Sequence, residues 1–145
     1  MAIASINNQT QIQDQQSFPE GARSVINIYA KSNEGLNFCV KWKKKNGIPL
    51  DLRGYSALMT IRDRKDGHVV LARIGTNPDL DGTIECSFDG TILCKLDSSY
   101  LEQGYETGTW LYDLLLEDTK GIKTRLVQGY FYIDRSCSYL GNESV

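Results

Sequence analysis

Residues 108–134 read GTWLYDLLLEDTKGIKTRLVQGYFYID, two long runs of β-forming residues joined across Asp118, Thr119, Lys120 and Gly121. In the first run Trp110, Tyr112, Leu114 and Leu116 fall on one face, while Asp113 and Glu117 fall on the other. That period of two is the mark of a strand half covered by a core. The stretch is therefore expected to form a β-hairpin with its aromatic face turned inward.

The same alternation recurs on the N-terminal side. Residues 36–43 place Leu36, Phe38, Val40 and Trp42 on one face and Asn37, Lys41 and Lys43 on the other. Shorter runs at 26–30, 56–62, 69–74, 83–88 and 91–96 also read as strands, with Ala57, Met59 and Ile61 alternating against Ser56, Thr60 and Arg62. Turn signals separate them: Lys44, Lys45, Asn46 and Gly47, with Gly47 supplying a positive φ; Asp66 and Gly67; a Pro, Asp and Gly loop at 77–82; and Asp89 with Gly90. Residues 50–55 link two strands, Leu50, Leu52 and Tyr55 tucking against the domain edge while Gly54 permits a bend. One helical turn is expected at 97–103, with Asp97 as N-cap and Gly104 as the stop, short enough to be a 3₁₀ turn.

About eight strands with close-spaced turns, and no helix pattern long enough for a parallel crossover, indicate an all-β fold. The expected architecture is an antiparallel β-sandwich, immunoglobulin-like or related, with a barrel as the alternative. Its core would hold Phe38, Trp42, Ile61, Trp110, Tyr112 and Leu114. Three segments follow: an extended polar N-terminal arm at 1–24, the sandwich at 25–137 and a short C-terminal tail at 138–145. The arm is rich in Gln, Asn and Ser. Such a segment does not bury enough apolar surface to offset its ordering entropy unless it lies along something folded. It is either a floppy terminus or an arm that docks on a neighbouring subunit.

A chain of 145 residues fits one domain, in which folding buries roughly 68–70% of the unfolded surface, so no disulfide or metal staple is required. A net charge of −2 creates no field to gather nucleic acid or anionic membrane. The first residues have no basic head and apolar stretch of the secretory kind, and the other apolar runs are too short to span a bilayer. Synthesis in a cytoplasm is expected, and the sequons at Asn8 and Asn142 are then chance. Cys39, Cys86, Cys94 and Cys137 lack the paired spacing of zinc or redox motifs, and Cys86 and Cys94 sit among alternating apolar residues as small hydrophobes.

No catalytic, cofactor-binding or metal-binding residues are expected. His68 is the only histidine, which excludes sites built on paired imidazoles, and it follows a hairpin tip. The carboxylates of Asp79, Asp81, Asp89, Asp97, Asp113, Glu117 and Asp118 fall on turns or solvent faces. The glycines are dispersed, unlike a phosphate-binding loop. Lys41, Lys43, Lys44 and Lys45, interleaved with Trp42, form one basic cluster. It reads as a solvated hairpin end, a contact for an acidic neighbouring subunit, or a nucleic-acid patch, the last lacking the wider aromatic and basic stripe such a surface needs.

The order of the pieces carries a resemblance. A polar arm leads to a strand and then to Ile48, Pro49, Leu50, Asp51, Leu52, Arg53, Gly54 and Tyr55 running into ALMTIRD. Later come Gly82, Thr83 and Ile84, a strand ending near Leu96, and residues 100–104. The close is Tyr112, Asp113 and Leu114 before Arg125, Leu126, Val127, Gln128 and Gly129. Over about residues 25–136 this resembles small β-sandwich modules of tailed-bacteriophage virions, including the N-terminal domain type of upper baseplate proteins. The resemblance implies a structural virion protein without enzymatic activity, made in a bacterial cytoplasm: a tail, baseplate or neck adaptor that binds other virion proteins as a symmetric homo-oligomer. The chain stops at Val145 without a long extension of the receptor-binding kind, so adaptor, sleeve or decoration roles are expected in place of host recognition. The alternatives are a capsid decoration protein and a carbohydrate-binding module, with a hydrolase further off. The carbohydrate reading needs an exposed platform drawn from Trp42, Tyr105, Trp110, Tyr130 and Tyr132.

Overall fold

A computed structural model describes residues 3–6, 11–12, 24–44, 46–64, 68–107 and 110–134, with 3–6, 11–12, 24 and 105–107 defined by their backbone. In chain order the strands are β1 (Ile3–Ile6), β2 (Gln11–Ile12), β3 (Ser24–Val25), β4 (Ile28–Lys31), β5 (Leu36–Lys43), β6 (Ser56–Asp63), β7 (Val70–Gly75), β8 (Gly82–Cys86) and β9 (Thr91–Leu96). A helix, α1 (Ser98–Thr107), precedes β10 (Trp110–Glu117) and β11 (Lys123–Asp134). Strands β4 to β11 are the eight of the sandwich domain.

Hydrogen bonding runs in the order β1-β5-β9-β8-β7-β6-β10-β11-β4-β2, with β3 also paired to β11. Only Ile74 with Gly82 and Gly75 with Thr83 join β7 to β8, and at that corner the ribbon turns over on itself. The ring of Phe38 on β5 thereby meets that of Tyr112 on β10 edge-on, centroids 6.1 Å apart at 88°, although the two strands are far apart in pairing order. The protein is an all-β sandwich with a core drawn from both layers. Every inward position expected on residues 36–43, 56–62 and 110–116 is buried, including Phe38, Trp42, Ile61, Trp110, Tyr112 and Leu114.

The long hairpin is built as its sequence dictates. Trp110 pairs with Phe131 at one end and Glu117 with Lys123 at the other, with one register shift after Leu114. Asp118 shapes the turn, its Oδ1 accepting the N–H groups of Lys120 at 2.8 Å and Ile122 at 2.9 Å. Asp113 and Arg125 meet across the hairpin at 3.3 Å, both about two-fifths exposed, so the pair contributes only about 0–1 kcal/mol. The link between β5 and β6 buries Leu52 completely, and Gly47 and Gly54 both have φ of 86°.

Four features differ from the sequence expectation. The helix is an α-helix of 10 residues. Asp97 stands at its N-terminal boundary and accepts the Ser99 hydroxyl at 2.7 Å, but Gly104 lies inside the helix and does not stop it. A Cβ there would sit 2.8 Å from both Ile133 Cδ1 and Leu71 Cδ2, so the glycine allows the helix to approach the sheet closely. The sandwich is not purely antiparallel, since β3 and β4 run parallel to β11. The described strands of the arm pair with their own domain, β1 antiparallel with β5 and β2 with β4, because those edges offer otherwise unpaired backbone groups. The tail at 138–145, Cys137, the two sequons, Lys45 and the Asp66–Gly67 turn lie outside the described residues.

The parallel seam depends on Gly129. Tyr112 pairs with Gly129 on β11, and a Cβ on Gly129 would lie 2.1 Å from the Ile26 carbonyl oxygen. With no side chain in the way, the Tyr112 hydroxyl passes β11 and donates to that carbonyl at 2.7 Å. Gly129→Ala is therefore expected to destabilise the domain by more than about 2 kcal/mol through overpacking. Gly121→Ala, in open space at φ 86°, should cost about 1–2 kcal/mol. Urea unfolding of both variants checks the order, and equal effects would contradict the close approach.

Candidate functional site

Among the described residues no group of three or more His, Cys, Asp or Glu is placed to hold a metal ion, and no helix is long and apolar enough to cross a membrane. His68 is exposed at the end of the sandwich where β6 meets β7. Asp79 and Asp81 belong to the loop after β7, Asp81 Oδ2 accepting the Arg73 N–H at 2.8 Å. Asp89 and Asp118 cap their own turns. In the lysine run Trp42 is buried in the core, while Lys43 and Lys44 are exposed, so the aromatic needed for a stacking patch is on the wrong face.

Cys39, Cys86 and Cys94 are free thiols on β5, β8 and β9. Burial pushes the Cys86 thiol from its ordinary 9.0 up to about 11. Burial, with the neighbouring Cys86 and Cys39, pushes Cys94 up further. Cys39 is also raised, chiefly by burial, with Lys41 opposing the shift and Asp89 adding to it. All three are held as thiols at neutral pH, the state of packing groups and not of nucleophiles.

The sheet surface offers more. On the outer side of the layer formed by β6, β10, β11 and β4, alternation turns Arg62, Leu111, Tyr130, Tyr132 and Tyr29 outward. Tyr29 and Tyr132 stack with centroids 4.8 Å apart and planes at 19°. Tyr130 lies 6.0 Å from Tyr132, tilted by 46°. The guanidinium of Arg64 caps the column, 4.6 Å from the Tyr130 centroid. Register places Arg62, Leu111 and Tyr130 in one row across three strands. Lower on the same face, an open groove of about 620 Å³ lies between Leu58 and Leu115 of the sheet and Leu80 of the following loop, rimmed by Arg73, Glu117 and Lys123.

Two of the three tyrosines named for a carbohydrate platform, Tyr130 and Tyr132, thus come together, joined by Tyr29, which the sequence reading missed. Its signal was present: Tyr29 alternates with the buried Ile28 and Ala30. Trp42 and Trp110 are buried in the core, and the Trp110 indole N–H donates to the Gly104 carbonyl at 3.0 Å. The side chain of Tyr105 lies outside the described residues.

No family model matches the chain, and no curated protein matches it. Among solved structures, it is similar to the N-terminal Ig1-2 module of the Drosophila receptor protein tyrosine phosphatase DLAR, at 10% identity and a TM-score of 0.39 over 93% of this chain. This chain spans 50% of that module, and the likeness adds nothing to what strand pairing already establishes.

The thiols supply a test of this packing. With its pKa at about 11, Cys86 should be alkylated by iodoacetamide at pH 8 on the order of 100-fold more slowly in the folded chain than in the unfolded one. Because the folded pKa is the higher, this thiol's contribution to stability is full below about pH 9 and lost as pH rises through about 11. Site-resolved mass spectrometry reads the rates, and equal rates would mean the thiol is solvated.

Proposed function

We propose that this protein is a structural virion protein of a tailed bacteriophage, a tail, baseplate or neck adaptor that acts by binding other virion proteins and carries out no chemistry. A capsid decoration protein is the same reading at another place on the particle. Localisation in the virion after synthesis in a bacterial cytoplasm, and assembly as a symmetric homo-oligomer, belong to the same proposal. The resemblance of residues 25–136 to virion sandwich modules is its source.

The observation that supports it best is the position of the N-terminal segment. The sheet order begins with β1 and ends with β2, so both edges are covered by short strands from the first 12 residues. Four residue pairs hold β1 to β5 and two hold β2 to β4. Short edge strands are readily exchanged for strands of another chain, and β-strand addition joins subunits through main-chain hydrogen bonds. A segment that covers both edges in the single chain is suited to cover a neighbour's edge in an assembly, or to yield its own.

The carbohydrate reading fares less well. A sugar platform needs a free aromatic face, whereas Tyr132 is stacked on Tyr29 and Tyr130 is covered by Arg64.

Deletion of residues 1–24 tests the proposal. The truncated domain is expected to remain folded by circular dichroism while failing to enter particles when it replaces the full chain. Normal incorporation would overturn the role given to the arm.

A further inference from the structure

We infer that the tyrosine column and its arginines form a docking surface for an acidic protein segment, engaged through the face of the sheet and not through edge-strand pairing. Three observations carry this. The first is what the surface contains: Tyr29, Tyr130 and Tyr132 with Leu111, Arg62 and Arg64. Tyrosine and arginine are the residue types that concentrate binding energy at the centres of protein interfaces, whereas ordinary sheet surfaces carry Lys, Glu and Thr. All three tyrosines are only partly covered, and both arginines are exposed.

The second is how the rings are arranged. Tyr29 is stacked on Tyr132 at 4.8 Å, Tyr130 leans on Tyr132 at 6.0 Å, and Arg64 lies over Tyr130 at 4.6 Å. One face of each ring is thus taken up within the column, Tyr29 and Tyr132 covering each other and Arg64 covering Tyr130. What it presents outward is ring edge, phenol and guanidinium, suited to a protein surface. The column is also preorganised: its rings are already held by one another, so less side-chain freedom is lost on binding.

The third is charge. Arg62 stands in the same cross-strand row as Leu111 and Tyr130, next to the end that Arg64 caps. A segment bearing carboxylates among apolar residues is complementary: a carboxylate pairs with the exposed Arg64 guanidinium in a charge-assisted bond, and apolar side chains lie against Leu111 and the ring edges. The groove between Leu58 and Leu115 extends the same face, giving an extended segment somewhere to continue.

The test uses the full chain, immobilised and panned with a random dodecapeptide library beside two variants, Arg64→Glu and Tyr132→Ser, each first shown to melt within a few degrees of the parent. Peptides enriched on the parent are expected to combine Asp or Glu with apolar residues and to lose at least tenfold in affinity on either variant. Enriched peptides without acidic residues, or indifferent to both variants, would overturn the inference. So would tighter binding of dT18 or of xylohexaose that both variants abolish, since either would assign the face to a nucleic acid or a glycan. Neither substitution lies on an edge strand, so failure here leaves the virion proposal standing, and failure of the arm deletion leaves this one standing.

Discussion

The carbonyl of Ile26 has to be satisfied inside the core, and much of the structure is arranged around how that is done. Between β3 and β4 the chain leaves the regular ladder for Ile26 and Asn27, both buried, while keeping its register along β11. The Ile26 N–H donates to the Gln128 carbonyl at 2.9 Å, but the Ile26 carbonyl points inward and accepts from the Tyr112 hydroxyl. Asn27 fills the gap on the other side, its Oδ1 accepting the Tyr130 N–H at 3.0 Å. An unpaired carbonyl here would cost about 1–3 kcal/mol. The phenol that prevents this also packs edge-on against Phe38 and Phe131, so one side chain links the parallel seam, the hairpin and the opposite layer. Burial holds that phenol protonated, with a pKa well above its ordinary range, as a donor must be.

This seam matters for the outer face. Tyr29 follows the Ile26–Asn27 break on β4, and Tyr130 and Tyr132 follow Gly129 on β11. The register that puts Tyr29 opposite Tyr132 is the register fixed at Gly129. A chain unable to bring the Ile26 carbonyl over Gly129 could not stack those two rings. The interaction surface is thus a consequence of core geometry, and β2, paired to β4 through Gln11 with Tyr29, borders the same column.

The layers of the sandwich were legible because alternation is a local signal: residues 36–43, 91–96 and 110–117 each declare an inside and an outside without reference to the rest of the chain. Gly129 carries a local signal too, since a glycine inside a strand marks either a bulge or a close backbone approach, but that signal does not say which backbone approaches. What could not be read was anything set by pairing between distant segments. The parallel course of β4 along β11 rests on contacts between residues about 100 positions apart, and no turn residue announces them. Gly104 carried a misleading local signal, since a glycine near a helix end serves equally as a stop or as a point of contact with a sheet. The tyrosine column was hidden for the same reason: Tyr130 and Tyr132 alternate visibly, but their third member comes from β4, and its position follows only from the seam.

Native-state hydrogen exchange of the Tyr130 amide tests the central claim most directly. If the seam is integral to the fold, the Tyr130 and Ile26 amides exchange with the same opening free energy as the Tyr112 and Leu114 amides of the hairpin, through global unfolding alone. Exchange of Tyr130 and Ile26 through a separate, lower-energy opening while the hairpin stays protected would show that the seam is an attachment, and that the column it positions is not a fixed surface.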